Sequence, residues 1–150
     1  GKELKLMVSV EEIAEGKTIT ATVKVRVNQA RFRRAVLASY NARCCMSGLA
    51  VPSLLIASHI VPWGKDHKNR LNPRNGLCLS ALHDKAYDRG LITVLPNFTI
   101  RVSPELRSIQ TDDFTKTAIA AFDGRSIQLP ERFKPDETFL SAHAQRFGFL

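Results

Sequence analysis

The sequence predicts an α+β fold, and three stretches carry that reading. From Lys17 to Val27 the residues alternate. Ile19, Ala21, Val23, Val25 and Val27 fall on one side, and Thr18, Thr20, Thr22, Lys24 and Arg26 on the other. Period two with many Val and Thr is the pattern of a half-buried strand. Phe32, Val36 and Tyr40 then recur at the four-residue spacing of a helix face. Finally, Leu54 to Gly90 (LLIASHIVPWGKDHKNRLNPRNGLCLSALHDKAYDRG) reads as strand, polar loop, strand and short helix. That stretch holds three of the four histidines and the single tryptophan. A length of 150 residues, 44% of them hydrophobic, suits one ordinary domain with a core of its own.

Taken in order, residues 1–27 read as a leader followed by the N-terminal strand, and residues 28–150 as the main domain, packed as one unit with 17–27. Asn28 is placed to cap a helix from Gln29 to Asn41, with Arg31, Arg33 and Arg34 facing outward. Cys44 to Leu49 reads as a tight turn at Gly48, and Val51 to Ile60 as an apolar strand broken at Ser58 and His59 and ended by Pro62. The loop from Trp63 to Arg74 is long and basic, carrying Lys65, Lys68, Arg70 and Arg74. Loops of that length in a compact domain are commonly functional. Trp63 reads as its anchor on the core, and His67 as solvent-exposed or facing a polyanion.

Leu77 to Leu79 is a second short strand, and Ala81 to Asp88 a short helix stopped by Gly90. Leu91–Leu95 and Phe98–Val102 form a hairpin around Pro96-Asn97. Asp112 or Asp113 opens a helix running to Phe122, and Pro135 starts a last helix on which His143 reads as structural.

Several classes are excluded. The three cysteines are odd in number, two are adjacent, and no CxxC pair occurs, which argues against a disulfide framework and a cysteine zinc site. Their usage fits a reducing, intracellular setting, with the thiols buried as small hydrophobes. No run is apolar enough to span a bilayer, and no secretory signal is visible. The chain begins with Gly1, as expected of a domain excised from a longer protein. Of the net charge of +8, residues 17–89 alone carry +10, while 1–16 carry −2 and 90–150 are neutral. Positive charge therefore concentrates around the histidines, the footprint of a polyanion partner.

The residue types in the central stretch suit phosphodiester hydrolysis. A histidine at the end of one strand can face a helix that follows the next strand. An imidazole with a pKa near neutrality accepts a proton from water. A second histidine, at the start of that helix, holds a divalent ion on the phosphate. An amide between them, Asn75, braces the loop so that the first imidazole keeps one orientation.

SHIVP, NGLCLS and LH, together with YDRG, resemble the HNH endonucleases of the ββα-metal (His-Me finger) fold. FRRAVLASYNARCCMSGL and the late PDETFLSAHAQRF extend the likeness to a subfamily of restriction and bacterial defence-effector nucleases. The resemblance implies His59 as general base, Asn75 as the brace and His83 as a ligand of a divalent metal. Mg²⁺ is the first expectation, and Mn²⁺ or Ni²⁺ are alternatives. It also implies duplex DNA read with little sequence specificity, contacted through Arg31, Arg33, Arg34, Lys65, Lys68, Arg70 and Arg74. A fused or adjacent sensor domain, self-association, and a bacterial cytoplasmic location belong to the same expectation.

The sequence departs from the family at two ligand positions. Ser58 precedes the base where many members have Asp or His, and Tyr87 stands four residues after His83 where many have His. Asp88, in preference to Asp84, is the carboxylate expected to complete the metal site. Two rival readings stay open: a nucleic-acid-binding module that has lost catalysis, and an interaction domain stabilised by a metal.

Overall fold

The structure, a computed structural model, describes residues 10–62 and 68–150, and for 10–17 the backbone alone. The chain divides into two compact units, Gly1–Arg31 and Phe32–Leu150. Helix α1, Val10–Ser39, crosses the boundary between them.

In the first unit, α1 replaces the strand expected over 17–27, and Asn28 is internal to the helix instead of capping it. The reason is physical. A strand needs a neighbour to take its backbone N–H and C=O groups, and no strand exists among the described residues of this unit. A helix satisfies those groups within itself. Ile19, Val23, Val25 and Val27 are all exposed, so no core enforces the two-residue period. Thr22 Oγ1 donates to Thr18 O at 2.9 Å, the local bond by which a β-branched hydroxyl residue fits a helix.

The second unit is built on two small antiparallel sheets. Strand β1 (Leu55–His59) follows a 3₁₀ turn at Pro52–Leu54, so the extended run begins later than its apolar sequence suggests. Strand β2 (Gly76–Ser80) pairs with β1 in the register Leu55 to Ser80 through His59 to Gly76. Helix α2 (Ala81–Asp88) leaves β2 without a linker, and the Ser80 side chain caps it by accepting from His83 N. The hairpin expected around Pro96-Asn97 is present, as β3 (Ile92–Val94) and β4 (Ile100–Val102). Helix α3 (Asp113–Ala118) is capped by Asp112 and ends in a 3₁₀ turn at Ala120–Phe122. Helix α4 (Glu137–Arg146) is capped by Asp136.

The core gathers Phe32, Val36 and Tyr40 of α1 against the β1–β2 hairpin, with all three cysteines buried among them. Gly76 makes the closest approach possible. A Cβ at that position would lie 2.5 Å from Val36 Cγ2 and 2.8 Å from Phe32 Cζ. The Asn-Gly pair closes a 3₁₀ turn at Pro73–Asn75 and opens β2. It is the point where a strand passes directly beneath a helix.

Candidate active site

His59 ends β1, opposite Gly76 in the sheet register. Because no side chain rises from Gly76, the Phe32 ring reaches across and stacks on the imidazole, with centroids 4.1 Å apart and planes 11° from parallel. His59 Nε2–H donates to the Arg70 carbonyl at 2.8 Å. A carbonyl only accepts, so in the neutral ring this bond places the lone pair on Nδ1. Burial lowers the His59 pKa from its ordinary value, and the bond to Arg70 opposes the shift in part. The ring is thus neutral near pH 7, the state a general base needs.

The loop that supplies the Arg70 carbonyl is held by Asn75, which is fully buried. Its Oδ1 accepts from Val61 N at 2.8 Å, and its Nδ2 donates to Val61 O at 3.2 Å and Asn69 O at 3.3 Å. One side chain therefore ties the end of β1 to the peptide beside Arg70. It fixes the imidazole at one remove, through the carbonyl that sets its tautomer.

A cavity of about 290 Å³ opens beside His59, lined also by Ser58, Asp84, Asp88 and Arg146. Asp84 and Asp88 stand four residues apart on α2 and so share a face of the helix. Asp84 is half-buried and Asp88 exposed. Among the described residues neither carboxylate is in an ion pair, since both ion pairs there involve Asp123.

His83, expected as a metal ligand, does not line this cavity, and the structure does not bring it together with His59 there. It is buried, its Nε2–H donates to Ala118 O at 2.8 Å, and its Nδ1 accepts from the Ser80 hydroxyl at 2.6 Å. The edge of the Phe122 ring meets it with centroids 5.7 Å apart. Both ring nitrogens are committed to protein partners, burial lowers its pKa, and it borders a separate apolar groove with Leu49 and Leu54. Coordination by His83 would strand the Ser80 hydroxyl or the Ala118 carbonyl. His143 repeats the pattern as a structural residue. It donates from Nε2 to Tyr87 O at 3.0 Å and accepts at Nδ1 from Thr93 Oγ1 at 2.8 Å.

The resemblance to HNH endonucleases implies a divalent metal. Two carboxylates on one helix face, in a cavity with an imidazole, are hard oxygen donors of the kind Mg²⁺ takes. No group of three or more His, Cys, Asp and Glu is placed to hold an ion among the described residues. Two carboxylates with water and phosphate oxygens completing the shell is the usual Mg²⁺ arrangement in phosphoryl chemistry, so the residues fit. Asp84, to which the sequence reading preferred Asp88, lines the cavity beside it.

The basic residues divide. The Arg33 guanidinium donates to Leu55 O and, at 2.9 Å, to Pro52 O, fastening the start of β1. Arg34, Lys68 and Arg74 are exposed, and Arg70 is half-buried. The Arg74 guanidinium also reaches Lys134 O at 3.4 Å. In the first unit Arg31 is exposed. Trp63, Lys65 and His67 lie outside the described residues. No helix among the described residues is long and apolar enough to cross a membrane.

Compared with known proteins, residues 44–95 match the family model described as HNH endonuclease, a span covering β1, β2, α2 and β3. No curated protein matches the chain.

Proposed function

We propose, from the match of residues 44–95 to the HNH endonuclease family model, that this chain is a metal-dependent DNA endonuclease in which His59 activates water and Asp84 and Asp88 hold the divalent ion. The observation that carries the assignment is the single cavity that His59 shares with both carboxylates. Mg²⁺ suits the all-oxygen donor pair best, and Mn²⁺ can replace it with similar ligands. When bound, the ion supplies stabilisation of negative charge on the phosphate and on the leaving oxygen.

The chain's own residues do the rest. His59 Nδ1 takes a proton from water as the water oxygen bonds to phosphorus. The bond from phosphorus to the leaving oxygen breaks, and that oxygen is protonated from solvent. Asn75 holds the peptide whose neighbour, the Arg70 carbonyl, keeps the imidazole in the right tautomer. Arg34, Lys68, Arg70 and Arg74 contact the DNA backbone, which gives affinity and register but little sequence readout. A restriction or antiviral defence role in the bacterial cytoplasm, with recognition or activation supplied by another domain or by self-association, is the biological setting consistent with such weak readout.

Nicking of supercoiled plasmid in Mg²⁺ or Mn²⁺ tests the reading. His59→Ala should lower the rate by about 10²–10⁴, the usual contribution of a general base. Equal cleavage by wild type and His59→Ala would remove His59 from the chemistry. No cleavage with either ion would leave a DNA-binding module in place of an enzyme.

A further inference from the structure

One pole of the cavity has no role in the reading above. Arg146, the last residue of α4, lines it together with His59, Asp84 and Asp88. Among the described residues its guanidinium forms no ion pair with either carboxylate. In a purely structural site, opposite charges sharing a cavity would close on each other. Here they stay apart, and the carboxylates already suit a cation. The group that suits a planar guanidinium fork in the same space is a phosphate, through two of its oxygens.

The guanidinium is held in place from below. Its Cζ lies 4.7 Å from the centroid of the Phe147 ring. That ring packs onto Gly90, where any Cβ would overlap the ring carbons and where φ is +72°. Gly90 follows directly on α2, the helix that carries both carboxylates. One turn earlier on α4, His143 donates to Tyr87 O, again on α2. The end of α2 thus fixes the end of α4.

Resting on the nuclease reading, the geometry points to Arg146 as a catalytic residue that binds the non-bridging oxygens of the scissile phosphodiester. No bond forms to it and it keeps its protons throughout, because guanidinium does not titrate in the working range. Its donors stabilise charge that grows on those oxygens as water attacks.

The test compares Arg146→Met, Arg146→Lys and, as a matched loss of charge at an exposed site, Arg132→Met. Plasmid nicking is measured across DNA concentrations, and duplex binding by fluorescence anisotropy in EDTA. Arg146→Met should lower the rate at saturating DNA by about 10²–10³, the loss typical of removing one oxyanion donor. Its Kd should move by less than about threefold, since one phosphate contact among several is lost. Arg146→Lys should recover part of the rate, supplying charge without the fork, and serves alone should Arg146→Met fail to fold. Arg132→Met should leave the saturating rate intact. A raised KM with an unchanged saturating rate for Arg146→Met would overturn the assignment while the nuclease reading stands.

A readout that needs no turnover separates the two failures. The Arg146 side-chain Nε–H resonance, identified by its absence in Arg146→Met, should shift when duplex DNA is added in EDTA. A shift without nicking by any variant would retain the phosphate contact and sink the nuclease reading. An unmoved resonance would sink the Arg146 assignment.

Discussion

Replacing His83 and Asp84 one at a time separates two roles that adjacent residues of α2 hold. His83→Ala removes a buried ring and leaves the Ser80 hydroxyl and Ala118 carbonyl without the partners they have at 2.6 and 2.8 Å. Each stranded buried group costs about 1–3 kcal/mol, so the variant should lose about 2–5 kcal/mol of stability. At about 3 °C per kcal/mol for a domain of this size, the melting temperature should fall by about 6–15 °C. Asp84→Asn breaks no hydrogen bond and relieves a like-charge pair at i, i+4, worth about 0.2–0.5 kcal/mol, so its melting temperature should stay level or rise slightly. The order reverses when metal is added. Mg²⁺ at ten times its Kd stabilises a protein by about 1.4 kcal/mol, a rise of a few degrees. Wild type and His83→Ala should show that rise, and Asp84→Asn and Asp88→Asn should lose it. Thermal unfolding followed by circular dichroism, with EDTA and with Mg²⁺, reads all of this. A His83→Ala protein with its melting temperature intact and its metal response abolished would refute the reasoning and restore His83 as the ligand.

His143 predicts a pH dependence of stability. Burial lowers its pKa to about 4 from an unfolded value near 6.5, so the unfolded chain binds more protons between those values. Stability is therefore full above about pH 6.5 and is lost as pH falls toward 4. The loss is about 3 kcal/mol at most, and His143→Gln should flatten it in urea titrations at stepped pH. The rate should also fall on the acid side as His59 protonates, with a midpoint below the ordinary imidazole value; a kcat/KM profile with its acid limb above that value would contradict the direction of the shift. Gly76→Ala should force Phe32 and Val36 off the strand and unstack His59, lowering both stability and activity, whereas Gly48→Ala meets no atom within 4 Å and should cost only the strain of φ +78°. Arg33→Ala should destabilise the fold through Leu55 and Pro52, while Arg34→Ala should weaken DNA binding alone; the logarithm of Kd should rise linearly with the logarithm of salt concentration, and a nearly flat line would remove the basic residues as the binding face.

Much of the second unit is legible in sequence because several independent signals coincide. Phe32, Val36 and Tyr40 are buried at their helical spacing. The helix at 81–88 ends before the glycine stop expected at Gly90, which takes φ +72°. The first unit was not legible for the opposite reason. Its Val and Thr alternation describes a side-chain pattern, but pattern selects a strand only where a neighbouring strand and a core reward it. With those rows exposed, the backbone's own hydrogen bonding decides, and it decides for helix. The role of Arg33 in fastening β1 was not legible for a related reason. An arginine on a helix reads as a solvated charge until the two carbonyls it holds, nineteen and twenty-two residues away, are placed beside it.

The frame of the metal site turns on one helical step. Counting from His83 finds Tyr87 four residues on, and the site then lacks a ligand. In the structure His83, Ala86 and Tyr87 form the buried face of α2. Successive residues of a helix are rotated by about 100°, so the next position faces a different direction. Starting from Asp84 in place of His83, the residue four on is Asp88, and both line the cavity with His59. The apparent gap at Tyr87 is therefore a consequence of reading from the histidine that builds the helix. Tyr87 is fully buried, its backbone carbonyl accepts from His143, and its ring packs on that imidazole 3.7 Å between centroids. An i, i+4 pair of like charges weakens a helix, and an eight-residue helix has little stability of its own to spare. The interior contacts of His83 and Tyr87 hold α2 in place, and that allows the opposite face to carry two carboxylates.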